Sequence, residues 1–221
     1  MYLYLFVAVA IGELVALLSH WDGLHTVCKP LLVPALLAFY LSHRNKAHQL
    51  HTWVIGGLFF GWIGDVALMF QEKGSLYFMV GLAAFLIGHI CYIVAFMSTN
   101  KPSHTSIFAM RPYLALPLVG YAALMFWVLQ PHVGALLIPV TVYMLVIITM
   151  ALVAINRLGK VPMRSFLTVL SGAMCFVVSD SLLAFNKFVS PFPLAGFAIM
   201  LTYILAQYFI AVGCLQQVER I

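Results

Sequence analysis

Apolar residues fill the chain in eight long blocks, near 2–19, 26–42, 51–70, 75–98, 112–129, 133–155, 163–186 and 194–216, with short polar breaks between them. A helix needs roughly 17–25 mostly apolar residues to cross a bilayer, so eight such helices joined by tight turns use up the sequence. The second and fifth blocks carry prolines (Pro30 and Pro34; Pro112 and Pro117), which leaves their ends soft. The pattern predicts an all-α polytopic membrane protein with eight transmembrane helices, a single domain over residues 1–221.

Composition agrees. The 221 residues are 64% hydrophobic and 8% charged, with a mean hydropathy of +1.07, where a soluble domain carries about 25% charged residues. No polar stretch is long enough for a second, soluble domain. The first block resembles a signal peptide in being apolar, but it lacks a basic leader and contains Glu13, so it reads as a retained first helix. A net charge of +5 raises the question of nucleic acid. The basic residues sit singly between apolar blocks, however, which is a topology signal and not a phosphate-binding face. Cys28, Cys91, Cys175 and Cys214 are scattered without a CxxC pair, so neither a disulfide framework nor a thiolate metal site is expected.

The positions of the cations set an orientation. On the eight-helix reading, loops on the N-terminal side hold Arg44, Lys46, Lys101, Arg111, Arg157, Lys160, Arg164 and Arg220, eight of the eleven basic residues. Lys29, Lys73 and Lys187 fall on the other side. The positive-inside rule then puts both termini in the cytoplasm. Helices one, three and seven run outward, with Glu13, Asp65 and Asp180 in their outer halves, while Lys29 and Lys187 lie at outer helix ends where they can snorkel.

Acids inside apolar helices are the main chemical signal, because an ionised carboxylate in a bilayer is costly and by default functional. Asp180 lies within Gly172–Phe188, between Ser179 and Ser181, with Lys187 two helical turns further on. Asp65 repeats its setting: Gly64-Asp65, Leu68 and Phe70 match Ser179-Asp180, Leu183 and Phe185. The echo spans 115 residues, about half the chain, and suggests a paired-acid site and a parallel four-plus-four duplication. Two carboxyls close together do not both ionise readily, and one that keeps its proton beside an ionised partner forms a general acid/base unit. The plainer alternative is a pair of structural carboxylates, or an Asp180–Lys187 pair that only fixes helix packing.

Other polar groups are weighed in the same way. Glycines 57, 61 and 64 beside Asp65 allow a neighbouring helix to approach closely. Lys29 precedes Pro30 at a predicted helix start and is either a snorkelling cation or a phosphate partner. His89 and Tyr92 share a face with Phe85; Glu13 has His20 as its turn-aligned companion; Tyr143, Tyr203 and Gln207 are buried polar groups on later helices. Each either lines a cavity or bonds across helices. His48 and His51 form an HxxH without an acidic or Cys companion and read as loop. The GxGD of intramembrane aspartyl proteases fails at Trp62, and no GxSxG, HExxH or P-loop is present.

Taken together, Lys29-Pro-Leu-Leu, Gly64-Asp-Val-Ala-Leu, Gly88-His-Ile-Cys-Tyr, Ser179-Asp-Ser-Leu-Leu-Ala with Asn186-Lys-Phe, and Tyr203 through Gln207 resemble the YhhN-like lysoplasmalogenase family over nearly the whole chain. The resemblance implies an eight-helix membrane hydrolase with no known metal or other cofactor. Its substrate would be a lysophospholipid, a lysoplasmalogen whose vinyl ether is cleaved to a fatty aldehyde and glycerophosphoethanolamine or glycerophosphocholine. By that resemblance Asp65 and Asp180 are catalytic. The resemblance also carries Lys29, Lys187 and His89 into the substrate site, and Glu13, Tyr92, Tyr143, Tyr203 and Gln207 are expected to join them there as buried polar groups. The location is an inner membrane in a bacterium or the endoplasmic reticulum in a eukaryote, and homodimerisation is left open. Two other classes compete: a proton-coupled transporter using the buried Asp, Glu and His groups, and a lipid-binding scaffold in which the Asp pair is structural.

Overall fold

The computed structural model describes residues 1–44, 49–98 and 106–218. Among these, eight helices are long and apolar enough to cross a membrane, and no strand occurs. They are α1 (Tyr2–Ser19), α2 (Asp22–His43), α3 (Gln49–Leu68), α4 (Ser75–Met97), α5 (Leu116–Leu129, which reaches spanning length only with the turn that precedes it from Pro112), α6 (Leu137–Ile155), α7 (Met163–Ala184) and α8 (Ala195–Val218). Single 3-10 turns at Pro112–Ala115 and Gly134–Leu136 lead into α5 and α6, and α7 ends in a π-wound turn, Phe185–Val189. The protein is an integral membrane protein built of helices, as its apolar pattern requires. Lys46, Lys101 and Arg220 of the charge count, and His48 of the HxxH pair, lie outside the described residues.

The chain divides into two compact units, Met1–Ala95 and Phe96–Ile221. The first holds α1 to α3 and most of α4; the second begins in the last turn of α4. Asp65 is on the third spanning helix of the first unit, and Asp180 is on the third spanning helix that begins within the second.

Two boundaries near the candidate residues differ from the sequence reading. α2 starts at Asp22, four residues before the apolar block, because Asp22 suits the first turn and its carbonyl accepts the Thr26 hydroxyl (2.8 Å). Lys29 and both prolines therefore lie within the helix and not at its start. Proline interrupts the ladder: Pro34 has no N–H for the carbonyl of Pro30, four residues back. That carbonyl accepts the indole N–H of Trp62 on α3 instead (2.9 Å). In a bilayer, where water offers no substitute, this bond is what makes the interrupted helix tolerable. Lys187 is the second case. It lies in the π-wound turn and is exposed, so α-helical register from Asp180 does not carry through to it.

Two helix pairs close on glycine. In the first unit Gly57 and Gly64 of α3 face α4, where the rings of Tyr92 and Phe85 occupy the space a side chain would need. A Cβ at Gly57 would clash with the Tyr92 ring. The expected close approach is thus made at residues 57 and 64, and the predicted shared face of Phe85 and Tyr92 is the one used. Gly57→Ala is expected to cost about 1–3 kcal/mol, since the buried ring must move; thermal unfolding in detergent measures it. In the second unit Gly172 of α7 lies against the backbone of Ala206 and Ile210 on α8, and Gly213 of α8 lies against that of Val169.

Candidate active site

In the second unit, α5, α6 and α7 enclose a cleft of about 50 Å³. Met125 and Leu129 from α5, Val140, Met144 and Ile147 from α6, and Val177 from α7 make its walls. Its polar groups are Tyr121, Tyr143, Asp180 and Ser181. Asp180 Oδ2 accepts a hydrogen bond from the Tyr143 hydroxyl, which fixes the carboxyl's rotamer across the α6–α7 seam. One residue on, Ser181 accepts the Tyr121 hydroxyl (2.7 Å) and donates to the Val177 carbonyl (2.6 Å). Ser179 turns the other way and donates to the Ile199 carbonyl on α8 (3.0 Å). The Ser-Asp-Ser triplet therefore ties α7 to α5, α6 and α8 while its acid lines an apolar cleft.

Tyr203 and Gln207 are buried together on α8, with the Gln207 amide donating to the Tyr203 hydroxyl (2.9 Å). The Tyr203 ring meets Phe176 edge-on at 5.7 Å.

The first unit holds a second cluster. Glu13 is fully buried and pairs with His25 Nδ1 at 2.8 Å. Its companion is thus His25 and not His20, which ends α1 exposed in the left-handed conformation. The charges of Lys29 and Asp65 both act on Glu13, so the structure gathers Glu13, His25, Lys29 and Asp65 in one region. Asp65 is 3% exposed, and His89 and Tyr92 on α4 are equally buried. His51, read from sequence as a loop residue, is instead buried on α3, its Nδ1 2.6 Å from the Tyr40 hydroxyl. Among the described residues no group of three or more His, Cys, Asp and Glu has metal-binding geometry.

Sequence reasoning missed His25, Tyr121 and the Tyr40–His51 pair. His25 sits just before the apolar block, where a polar residue reads as part of the turn. Tyr121 is one of ten tyrosines, and only tertiary packing singles it out.

The profile of the YhhN family matches residues 24–214, almost the entire described chain from α2 onward. The chain belongs to the YhhN family. Among curated relatives, the human protein named lysoplasmalogenase TMEM86A is 31% identical over 206 residues, covering 89% of this chain and 80% of its own length. Its bovine counterpart is 30% identical over 91% of this chain and 81% of its own. A Mycobacterium tuberculosis protein named lysoplasmalogenase is 28% identical over 86% of this chain and 71% of its own. No solved structure matches. Asp65, Asp180, Lys29, His89 and Tyr143 all lie inside the range matched by the YhhN profile, whereas Glu13 precedes it.

Proposed function

We propose that this chain is a lysoplasmalogenase, hydrolysing the vinyl ether of lysoplasmalogens with Asp65 and Asp180 as its acid/base groups. The observation that carries the reading is a carboxyl held by a tyrosine in an apolar cleft, in a chain whose relatives are named for this activity. Vinyl ether hydrolysis begins with proton transfer to the β-carbon, leaving an oxocarbenium ion. Water adds to the cationic carbon and loses a proton, and the hemiacetal collapses to aldehyde and alcohol. The sum consumes one water and needs no protein nucleophile. It does need one carboxyl that gives a proton and one carboxylate that stabilises the cation and activates water. The two aspartates supply these roles. Tyr143 holds Asp180 in place, and the hydrocarbon chain lies along Met125, Leu129 and Met144. Lys29 and Lys187 attract the phosphate, and Glu13, His89, Tyr92, Tyr203 and Gln207 shape the polar surroundings. On the positive-inside count both termini are cytoplasmic and the aspartates belong to the outer half of the membrane.

The test is a substrate panel with the purified protein in detergent: lysoplasmenylethanolamine, its alkyl ether analogue and an ester lysophospholipid. Only the vinyl ether, whose β-carbon accepts a proton, is expected to yield aldehyde. Fatty acid from the ester would mean an acyl hydrolase. No product from any of the three, with the protein folded, would favour the transporter reading, for which the buried Glu13–His25 pair is the relevant feature.

A further inference from the structure

The far end of the second unit carries charge that the proposed reaction does not use. Arg157 follows α6 directly, where the sequence suggests an ordinary loop cation; it is 1% exposed. Its Nη2 donates to Ser165 Oγ on α7 (3.0 Å) and to Gln217 Oε1 on α8 (2.7 Å), and its guanidinium lies 5.4 Å from the centre of the Phe96 ring. All three partners are neutral. Nε and Nη1, which together carry three of the five N–H donors of an arginine, are buried with no hydrogen-bond partner among the described residues. Burial pulls the guanidinium below its ordinary pKa, yet arginine remains charged throughout the physiological range. A buried, uncompensated guanidinium costs several kcal/mol. The carbonyl end of α6 offsets only a fraction of that.

Arg157 borders a cavity of about 190 Å³. Lys160 supplies a second cation to its lining, Asn156 an amide, and Phe96, Met97 and Val153 the remainder; no acidic residue is among them. A water occupies about 30 Å³ in the liquid, so the space admits a tetrahedral oxyanion with hydration to spare. Ser165 and Asp180 stand fifteen residues apart on α7, roughly 22 Å at 1.5 Å per residue. Only a glycerol separates the vinyl ether of a lysoplasmalogen from its phosphate. A ligand at Arg157 is therefore not the phosphate of a substrate at Asp180.

We propose that this cavity is an anion site for a phosphate group, with Arg157 as its buried anchor and Lys160 at its mouth. Neutral water would satisfy the free N–H groups but would leave the charge uncompensated. A phosphate oxygen does both, and arginine is suited to it. Because Arg157 also bonds α7 and α8, occupancy braces the ends of three helices and raises the stability of the protein. The phosphate belongs either to a soluble phosphate ester or to an anionic lipid headgroup; both present the same chemistry.

Thermal unfolding of the full chain tests this. In neutral detergent, inorganic phosphate titrated against chloride at matched ionic strength is expected to raise Tm saturably. Lys160→Gln should weaken the half-saturating concentration at least tenfold, and Arg157→Gln should abolish the response. Generic salting-out by phosphate does not saturate and is not altered by one surface residue, so a linear rise shared by wild type and Lys160→Gln overturns the proposal. In nanodiscs, a rise with phosphatidylglycerol over phosphatidylcholine that is lost in Lys160→Gln, without any response to inorganic phosphate, assigns the site to lipid. Glu219 lies outside the described residues and is tested separately. If Glu219→Gln destabilises the protein while wild type ignores phosphate and lipid alike, the counter-ion is a carboxylate and the site is structural. Should Arg157→Gln fail to fold, the Lys160→Gln titration decides alone. None of these outcomes depends on whether aldehyde is released.

Discussion

Asp180→Asn is expected to lower aldehyde release by about 10²–10⁴-fold, the range associated with losing a positioned acid or base, while the protein stays folded. The substitution is nearly isosteric, and the asparagine carbonyl can still accept the Tyr143 hydroxyl that Asp180 Oδ2 now accepts. What disappears is the ability to carry a proton or a negative charge. Tyr143→Phe is the instructive companion. It keeps the carboxyl but releases its rotamer, so a smaller loss, on the order of tenfold, is expected from misorientation. Asp65→Asn should match Asp180→Asn in severity. If the two acids act as one unit, the double variant will be no slower than either single one. Losses that multiply would separate them into independent roles, and full activity in Asp180→Asn would remove this residue from the chemistry. Single-turnover aldehyde release, with unfolding temperature recorded for each variant, provides the comparison.

Gly172→Val is expected to destabilise the protein by about 3 kcal/mol or more, beyond the usual cost of overpacking. A Cβ at Gly172 would lie 2.9 Å from both the Ala206 carbonyl and the Ile210 amide nitrogen. These are backbone atoms of a buried helix and cannot rotate aside as a ring can, so α7 and α8 would have to part. Their separation would break the Ser179 bond to Ile199 and loosen the Arg157 bridge between Ser165 and Gln217. Gly120 on α5 is the control, since a Cβ there meets nothing within 4 Å. Gly120→Ala should be neutral or slightly stabilising through helix propensity. Equal Tm values for Gly172→Val and wild type would mean that the pair is not packed this closely.

The eight helices were legible because a bilayer makes one demand of every residue in a span, and an unbroken apolar block answers it. The interior acids stood out for the same reason: Asp65 and Asp180 are conspicuous against Leu, Val and Phe. Partners were much less legible. Tyr143 was one candidate among several until α6 and α7 were set side by side, and His25 lay in residues that read as a turn. Periodicity pairs residues within one helix, and so it nominated His20 for Glu13 and Lys187 for Asp180. Glu13 instead reaches His25 on the next helix, and Asp180 takes a bond from Tyr143 on α6 that no periodicity within α7 could nominate. The burial of Arg157 was hidden by a general rule, that cations outside apolar blocks face water.

The bond from Trp62 to Pro30 also bears on how the molecule is made. When synthesis reaches the end of α2 at His43, Pro34 has already denied the Pro30 carbonyl its helical donor, and the indole that will serve it is still nineteen residues further along the chain. Until α3 arrives, α2 is a poor candidate for release into lipid on its own. The two helices are thereby set to leave the translocation channel as a hairpin, and a Trp62→Phe chain should linger there, exposed to quality-control proteases, although the aspartates it carries are intact.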